Sequence, residues 1–448
     1  MRLETINITK IVNGGYGFAY LSNGQVALVR HVLPNEKVII NIEEAKKNYL
    51  FGTLQQILEG HPSRIIPPCK YYRHCGGCDL QHCNYVTQVA LKNSVVEELL
   101  QRQSREAVRE SVHLLAPPLP SPSEFAYRQR IRLQVGNRGV VGFRRFHSHD
   151  IIPIDACLLA GESINRAITA LQKHEDGGRL CELSTEVELQ LNPQSGKTVC
   201  IFHFSRKIRP ADAESAKRLC RDTVSIERIF FIGTDFPITG PYSEFSHTKH
   251  EKTDNKFVVD YPATEANTRP LSLSWEAGGF CQVNLDQNIQ LIETVINFCQ
   301  LEKTDTVLDL YCGMGNFAIP LARLAKNVFG IEGQASAIRS ARINAAEDGQ
   351  TNTCFLKSPV HNGCVELAQK NQRFDCVLID PPRQGAPDLA DHLAAITTKR
   401  LVYISCDPAT LCRDLAALTE QGFIIKKIQP VDMFPQTHHV ETVVLLEK

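Results

Sequence analysis

One short segment of this chain carries a cysteine that could act as a nucleophile. Residues 401–408 read Leu-Val-Tyr-Ile-Ser-Cys-Asp-Pro, which predicts a buried strand that ends at Cys406. Pro408 disfavours helical geometry at Asp407, so a turn follows the strand. In an open α/β sheet the loops at the carboxyl ends of strands hold the chemistry, which makes Cys406 a candidate for covalent catalysis. An arbitrary cysteine is more often a small buried apolar residue, so other segments must distinguish the two.

A glycine-rich turn predicts a cofactor site. An apolar strand at residues 306–311 leads into Cys-Gly-Met-Gly-Asn-Phe at 312–317 and then into a helix. A second strand, at residues 327–331, ends at Glu332. The glycines let the backbone approach a ligand, and the acid can accept hydrogen bonds from both ribose hydroxyls. This spacing also fits a dinucleotide fingerprint, which is a weak signal when it stands alone.

Two further features favour S-adenosylmethionine over a dinucleotide. Asp309 lies just upstream of the glycines, and the spacing Asp-x-x-Cys-Gly-x-Gly resembles the first motif of S-adenosylmethionine-dependent methyltransferases. Asp380-Pro381-Pro382 lies at the tip of another apolar strand and resembles the fourth motif of that class. A plain turn would also accommodate two prolines, but the glycine-rich turn upstream makes that explanation the weaker one.

A cysteine cluster predicts a metal site. Cys69, Cys75 and Cys78 lie within ten residues, and Gly76 and Gly77 between them let three sulfurs converge. Zinc and iron–sulfur clusters both accept thiolate ligands, so spacing alone leaves the two open. The spacing differs from the C-x3-C-x2-C of radical S-adenosylmethionine enzymes, which excludes that chemistry. A fourth ligand is required, and Cys83 is the nearest in sequence.

An alternating segment predicts a strand with a basic face. Arg128, Arg130 and Arg132 fall on one face, and Ile131, Leu133 and Val135 fall on the other. Such a stripe, followed by aromatic residues, suits contacts to phosphates and stacked bases of RNA. A solvated strand face is an equally good explanation for any single arginine.

The elements that must position these residues fall into three predicted domains. Residues 1–60 alternate in short runs with turn signals and suit a five-stranded, OB-like β-barrel. Residues 61–265 form a central α+β domain with the cysteine cluster, in which a helix at about 85–115 packs on the catalytic domain, and residues 241–270 read as a loop. Residues 266–448 alternate strands and helices, which predicts an α/β, Rossmann-like, doubly wound parallel sheet.

Composition excludes several classes of protein. The 448 residues have a 43% hydrophobic content and a formal net charge of zero, so they predict a globular protein that is not coated with nucleic acid. No signal peptide and no apolar run of membrane-spanning length is present, so we expect reduced thiols, a cytoplasmic monomer, and neither a membrane nor a DNA partner. Sixteen cysteines then indicate metal binding or catalysis rather than disulfides.

Five motifs, in order, resemble those of the RNA (uracil-5-)-methyltransferase family over essentially the whole chain. They lie at residues 279–284, 309–317, 380–385, 405–411 and 438–442. Within that family the amino-terminal module resembles a TRAM domain, an RNA-binding barrel. With the cysteine cluster, the chain is most similar to the branch that methylates 23S ribosomal RNA, at the uridine conventionally numbered 1939.

The resemblance assigns roles residue by residue. It implies that Cys406 is the nucleophile and Glu441 the general base. It implies that S-adenosyl-L-methionine is held by five residues, namely Gln282, Tyr311, Asn316, Glu332 and Asp380. It also implies that Cys157 is the fourth ligand, with Cys69, Cys75 and Cys78, of a [4Fe–4S] cluster that is structural or positions RNA.

The implied reaction requires a nucleophile and a base, which are the roles of Cys406 and Glu441. C5 of uracil is a poor nucleophile, but a thiolate that adds to C6 produces an enolate whose C5 can attack the methyl group. A carboxylate over C5 then removes the remaining proton, so that the thiol leaves by elimination. The family commonly has Ser-Cys-Asn-Pro, whereas this chain has Asp407. We expect its charge to raise the pKa of Cys406.

Other functions fit parts of the pattern. The same methylation could act on transfer RNA or on another ribosomal uridine. Methylation of a base amino group uses Asp-Pro-Pro followed by an aromatic residue, whereas Arg383 follows here, and that reaction needs no cysteine. A non-catalytic, RNA-binding iron–sulfur protein would give no role to Cys406 or Glu441.

Overall fold

The computed structural model describes residues 2–46, 48–244 and 255–448. The strands are β1 Leu3–Asn7, β2 Lys10–Val12, β3 Tyr16–Tyr20, β4 Val26–Val29, β5 Lys37–Ala45, β6 Tyr49–Glu59, β7 Arg130–Val135, β8 Val141–Arg144, β9 Ile151–Pro153, β10 Ser184–Leu191, β11 Thr198–Phe204, β12 Ile226–Gly233, β13 Phe236–Tyr242, β14 Lys256–Tyr261, β15 Leu271–Glu276, β16 Thr306–Leu310, β17 Asn327–Glu332, β18 Thr353–Lys357, β19 Phe374–Ile379, β20 Thr397–Ser405, β21 Ile424–Val431 and β22 Glu441–Glu447.

The helices follow the same order along the chain. They are α1 Tyr85–Gln101, α2 Glu106–Glu110, α3 Glu162–Lys173, α4 Glu175–Glu182, α5 Pro210–Asp222, α6 Leu285–Cys299, α7 Ala318–Ala322, α8 Ala335–Glu347, α9 Val360–Gln369, α10 Ala390–Ile396 and α11 Pro408–Glu420.

The chain forms two compact units. The first contains Met1–Glu124, Pro381–Asp391 and Tyr403–Glu447. The second contains Phe125–Asp380, His392–Val402 and Lys448. The chain therefore passes from one unit to the other inside strand β20. No helix in the described ranges is both long enough and apolar enough to cross a membrane.

The first unit begins with a small β module. Six strands pair in the order β1-β5-β6-β4-β3-β2, around a core that includes Ile6, Val29 and Ile40. The prediction of five strands was wrong by one, because β2 and β3 flank the tight turn at residues 13–15 and pair with each other as separate strands. The alternating burial along β3 and β4 follows the apolar periodicity of the sequence.

Helix α1 follows the module in the first unit. The side-chain oxygen of Asn84 accepts a hydrogen bond from the backbone N–H of Thr87 and caps the helix. The single helix predicted at about 85–115 is broken at residues 102–105, so α1 and the short α2 are separate. The same unit contains α11 and the antiparallel pair β21–β22.

The second unit contains two sheets that matter for the site. A mixed sheet has the order β13-β12-β11-β10-β7-β8-β9 and forms the predicted central α+β region with helices α3, α4 and α5. A parallel sheet has the order β18-β17-β16-β19, as predicted for a doubly wound α/β fold. Parallel pairing places the carboxyl ends of β16, β17 and β19 at the same edge.

The predicted loop at residues 241–270 is only partly a loop. Strand β14 lies within it and pairs antiparallel with β15. Residues 245–254 of that prediction lie outside the described ranges.

Candidate active site

The turn after β16 has a backbone that needs glycine. Tyr311, Gly313 and Gly315 all have positive φ angles, of 61°, 55° and 92°. A β-carbon at Gly315 would lie 2.9 Å from Cγ1 of Ile319, in the helix that follows. The turn therefore brings backbone amides close to the strand edge, as the sequence predicted for a cofactor loop.

Asn316 is held by a residue that the sequence did not single out. Its side-chain amide exchanges two hydrogen bonds with Asn288 of α6, at 2.8 Å and 3.1 Å. Asn288 also donates to the hydroxyl of Tyr261, at 2.9 Å, and is fully buried. An asparagine in an otherwise amphipathic helix carries no signal of this kind in the sequence, because its partners are distant along the chain.

Three acids lie at the carboxyl ends of the parallel strands or just below them. Asp309 is fully buried, and burial, together with the charge of Asp380, raises its pKa well above the usual range. Burial raises the pKa of Asp380 to about 7. Glu332 is half-buried and accepts a hydrogen bond from the backbone N–H of Gln334, at 2.8 Å. Glu332 thus keeps acceptor capacity for ribose hydroxyls, whereas the buried position of Asp309 beneath the turn disfavours its charged form.

The segment around Gln282 is fixed by Arg130. The guanidinium of Arg130 donates to the carbonyl of Gly279, at 2.8 Å, and pairs with the buried Glu188, at 2.6 Å. Val283 accepts a hydrogen bond from the backbone N–H of Gln129, at 2.9 Å. Gln282 is half-buried between these two contacts and the start of α6. The polar groups at this edge of the second unit are the backbone amides of the glycine turn, the carboxylate of Glu332 and the side-chain amides of Asn316 and Gln282, and their chemistry fits an adenosyl cofactor.

The three arginines of the predicted basic stripe have different surroundings. Arg130 is mostly buried, with 17% of its side chain exposed. Arg132 also reaches Glu188, at 3.2 Å, but half of its side chain is exposed. Arg128 precedes β7, and its guanidinium lies over the ring of Tyr127. Of the three side chains, that of Arg132 is the most exposed to solvent, whereas that of Arg130 holds the segment around Gln282.

In the first unit, Cys406 is half-buried at the end of β20 and just before α11. Asp407 caps that helix, because its carboxylate accepts hydrogen bonds from the backbone N–H groups of Ala409 and Thr410, at 2.9 Å and 3.0 Å. Its charge therefore lies against the positive end of the helix dipole, and an asparagine oxygen would make the same bonds. The helix terminus favours the thiolate of a nearby cysteine.

Glu441 is the first residue of β22, and only 6% of it is exposed. Two residues earlier, Nε2 of His439 lies 3.2 Å from the guanidinium of Arg383. Burial, with the charges of His438 and Arg383, lowers the pKa of His439 to about 3, so this histidine is neutral. The first unit thus combines a half-buried thiol with a buried carboxylate.

Residues of α1 that the sequence did not single out anchor the segment before Glu441. Lys92 and Asp432 form a fully buried ion pair at 2.6 Å, and Lys92 also donates to the carbonyl of Phe434. Gln88 exchanges hydrogen bonds with Gln436, at 2.9 Å and 3.0 Å. These contacts join residues that are about 340 positions apart in the sequence, so no local pattern predicts them.

The predicted metal ligands Cys69, Cys75, Cys78 and Cys157 are all half-buried. Across the described residues no group of three or more His, Cys, Asp or Glu side chains that could hold a metal ion is found, and none of the sixteen cysteines, all of which are described, is in a disulfide. Cys83, the nearest other cysteine in sequence, is fully buried and donates to the carbonyl of Leu80, and burial raises the pKa of its thiol to about 12. The structure gives no support to the [4Fe–4S] cluster, which stays a prediction.

Family models match two parts of the chain. The model for tRNA (Uracil-5-)-methyltransferase matches residues 252–448. The model for the TRAM domain matches residues 3–54, which contain most of the β module.

Curated relatives match nearly the full length. A 23S rRNA (uracil(1939)-C(5))-methyltransferase RlmD of Aeromonas hydrophila is 32% identical over 434 residues, which cover 95% of this chain and 92% of the relative. The protein of the same name from Pseudomonas putida is 32% identical and covers 99% of this chain and 93% of its own length. An RNA methyltransferase of Thermotoga maritima, described as uncharacterized, is 29% identical over the whole chain.

One solved structure shares the fold over nearly the whole chain. It is the tRNA (uracil-54, C5)-methyltransferase of Pyrococcus abyssi in complex with S-adenosyl-L-homocysteine, with a TM-score of 0.70 and 23% identity over 98% of this chain and all of that one. The full-length identity to the curated relatives, together with the two matching models, identifies the family. The chain belongs to the RNA (uracil-5-)-methyltransferase family and carries an amino-terminal TRAM domain.

Proposed function

We propose that this protein methylates C5 of one uridine in 23S ribosomal RNA, the position that its relatives' names give as 1939, through a covalent bond between Cys406 and C6. Methylation of an RNA uracil at C5 with S-adenosylmethionine as donor is the activity of the family. The observation that carries the covalent route is the half-buried thiol of Cys406 before the capped helix α11, in the same unit as the buried carboxylate of Glu441.

Cys406 acts first. Its thiolate adds to C6 of the uracil, and the electron pair of the C5–C6 double bond moves into the ring enolate. Bound S-adenosylmethionine would supply the electrophilic methyl group that C5 attacks, and S-adenosyl-L-homocysteine would be the leaving group. Glu441 then accepts the proton that remains on C5, the C5–C6 double bond forms again, and Cys406 leaves as thiolate. Atoms and charge balance without an oxidant or a reductant.

The second unit holds the methyl donor. We assign ribose binding to Glu332 and cofactor-positioning contacts to Asn316 and Gln282. We also propose that the backbone of the turn at Tyr311–Gly315 approaches the cofactor closely. Asp380, which follows β19, is assigned a contact with the cofactor. The half-buried state of Glu332 and the Asn288 bonds to Asn316 support these roles.

The target uracil has to leave its stack before it can reach a thiol on a protein loop. Phosphate contacts from basic side chains, such as the exposed Arg132, and from Arg128 would hold the RNA during this step. Arg130 is a weaker candidate, because Glu188 and Gly279 already use its guanidinium.

Transfer RNA is the second candidate substrate. The matched family model and the Pyrococcus abyssi structure both carry transfer RNA in their descriptions. Ribosomal RNA is favoured because the full-length relatives at about one-third identity carry that substrate in their names. Another ribosomal uridine remains a third option. A non-catalytic iron–sulfur role is disfavoured by family membership.

The [4Fe–4S] cluster on Cys69, Cys75, Cys78 and Cys157 stays a prediction, supported by ligand spacing and by resemblance only. Iron and acid-labile sulfide measured on protein purified without oxygen test it. Four irons and four sulfides per chain would support the cluster. A colourless protein that contains zinc, or no metal, would remove it. The cytoplasmic location and the monomeric state also stay predictions.

The substrate experiment uses RNA from cells that lack this enzyme. The protein is incubated with labelled S-adenosylmethionine and, separately, with 23S ribosomal RNA and transfer RNA, and the modified base is mapped. Label on C5 of one 23S uridine supports the proposal. Label only in transfer RNA, or on an adenine, contradicts it. Cys406→Ala is the control for contaminating activities.

A further inference from the structure

Asp79 joins the TRAM module to the segment that ends at Glu441. Its side chain is almost fully buried, with 5% of the residue exposed. One carboxylate oxygen lies 2.6 Å from Nδ1 of His438 and also faces the backbone N–H of His438, at 3.3 Å. The other oxygen pairs with the guanidinium of Arg30, on the turn after β4. Asp79 therefore bridges a barrel residue and the catalytic segment.

The backbone around Asp79 is equally engaged. The backbone N–H groups of Asp79 and Leu80 both donate to the carbonyl of Gln436, at 3.0 Å. Gln436 has a φ of 70°, an unusual conformation for a residue other than glycine, and these bonds stabilise it. On the opposite side, a β-carbon at Gly15 would lie 2.9 Å from Cβ of His438. Gly15 and Asp79 thus both lie against His438, although each precedes it by more than 350 residues.

The side chain of Asp79 has two partners at this position, His438 and Arg30. A buried carboxylate that is bonded on both oxygens is costly to disturb, because its removal leaves these partners without compensation. The side chain of Asp79 is accordingly a fixed contact.

The loop of the nucleophile has other supports. Ser405 and Asp407 bond each other, Asp407 caps α11, and Thr410 donates to the carbonyl of Arg383. None of these contacts involves Asp79. A change at Asp79 should therefore affect Glu441, three residues after His438, more than it affects Cys406.

We propose that Asp79 is a positioning residue for the elimination step: through His438 it fixes the segment Gln436–Glu441 so that the Glu441 carboxylate meets the C5 proton of the methylated adduct. Arg30 extends this chain of contacts into the TRAM module, which gives that module a part in catalysis in addition to any contact with RNA. The inference rests on the proposed function, because it requires a Cys406–C6 adduct and a Glu441 base.

The test measures the intermediate as well as the product. Full-length Asp79→Asn is incubated with substrate RNA and S-adenosylmethionine, and both the methylated RNA and the protein–RNA adduct that resists denaturing electrophoresis are quantified. A displaced base slows elimination but not addition, so the adduct should accumulate while kcat falls up to about 100-fold, and KM for RNA should change little. A purely structural defect would lower adduct and product together.

Glu36→Gln is the matched control. Glu36 is also a fully buried carboxylate of the first unit, paired with a guanidinium, that of Arg64, at 2.5 Å and 2.6 Å. The other hydrogen bonds of the Glu36 carboxylate come from the backbone N–H groups of Leu33 and His61, which lie far from the segment before Glu441 in the sequence. Loss of stability without accumulation of adduct is the expected result for this variant.

Glu441→Gln separates the inference from the function on which it rests. If Glu441→Gln accumulates adduct and Asp79→Asn does not, the positioning role is wrong and the proposed function stands. If neither the wild type nor Glu441→Gln ever forms an adduct, the proposed function itself fails. Should Asp79→Asn not fold, His438→Phe carries the test, since His438 is partly exposed and its loss leaves Asp79 paired with Arg30. Absence of adduct in that folded variant would overturn the inference.

Discussion

The turn that is proposed to bind the cofactor (the cofactor turn) and the segment that leads to the proposed base Glu441 (the base segment) are stabilised by different kinds of contact. The turn at Tyr311–Gly315 depends on backbone geometry, with three positive φ angles in five residues, and follows the fully buried Asp309, whose pKa is raised by burial. The base segment, Asp432–Glu441, depends on side chains from far along the chain, with Asp79, Gln88 and Lys92 as its supports. A local turn fixes the first region, whereas long-range polar contacts fix the second.

Because the two regions are stabilised differently, we expect them to be sensitive to different substitutions. In the cofactor turn a single added carbon is the sharpest perturbation, because space and φ are the constraints. In the base segment the loss of a charge is the sharpest, because buried partners are left uncompensated. Substitutions chosen from each class therefore distinguish the two regions.

The largest expected effect comes from the nucleophile. Cys406→Ala should lower methylation at least about 1,000-fold, because the covalent step has no substitute. Affinity for S-adenosyl-L-homocysteine, measured by calorimetry, should stay unchanged if the cofactor residues act as assigned. Cys412→Ala is the matched control, since burial raises the pKa of the Cys412 thiol to about 12 and makes it unreactive. Full activity in Cys406→Ala would contradict the assignment.

The buried ion pair of the base segment gives the next effect. Lys92→Met should cost about 3–5 kcal/mol, because the buried Asp432 would lose its ion-pair partner. Lys426→Met, which removes an exposed pair with Glu447, should cost at most about 1 kcal/mol. Urea unfolding followed by circular dichroism measures both. Equal midpoints for the two variants would show that the α1 anchor contributes little.

The cofactor turn should respond to volume. Gly315→Ala forces a residue with a side chain into a φ of 92° and against Ile319, which costs about 1–3 kcal/mol. Calorimetry should show a corresponding loss of affinity for S-adenosyl-L-homocysteine. Gly178→Ala, in α4, is the control, because a β-carbon there meets open space. Unchanged affinity in Gly315→Ala would mean that the turn does not hold the cofactor.

Asp407 should behave as a helix cap. Asp407→Asn keeps the acceptor oxygen for Ala409 and Thr410, so stability and activity should stay close to the wild type. Asp407→Ala should destabilise the protein by about 1 kcal/mol. If instead Asp407→Asn raises the rate strongly at neutral pH and shifts its pH profile downward, the charge does raise the pKa of Cys406, as the sequence first suggested.

Two buried groups should give opposite pH dependences of stability. The pKa of Asp380 is raised from 3.8 to about 7, so its contribution to stability falls as pH rises between those values. The pKa of His439 is lowered from 6.5 to about 3, so its contribution falls as pH drops through that range. Relative to the wild type, Asp380→Asn should gain stability with rising pH and His439→Gln with falling pH. Thermal midpoints across this range would show a flat difference if the shifts are absent.

The same contrast explains what the sequence could predict. The strand–turn–helix at Thr306–Ala322, the acid at Glu332 and the strand before Cys406 were readable, because apolar periodicity and glycines act over a few residues. The sixth strand of the β module and the break between α1 and α2 were missed, since propensity describes boundaries poorly.

The supports of the candidate site could not be predicted at all. The sequence separation between hydrogen-bonded partners is 28 residues for Asn288, 340 for Lys92 and 359 for Asp79. No local spacing pattern predicts contacts of this kind. Arg130 shows the same limit. Alternation placed it on a basic face, but the buried Glu188 of the neighbouring strand β10 gives it a structural contact instead. Polar pairing in the interior depends on tertiary structure, which local patterns do not encode.

Trapping the covalent bond between the Cys406 thiol and C6 of the target uracil tests the proposed mechanism. RNA that carries 5-fluorouridine at the target position lets Cys406 add to C6 and C5 accept the methyl group, but Glu441 has no proton to remove, so the adduct persists. Protease digestion and tandem mass spectrometry of that adduct should locate one methylated nucleotide on Cys406, and only when S-adenosylmethionine is present. Absence of an adduct, or its attachment to any other of the sixteen cysteines, would contradict the account.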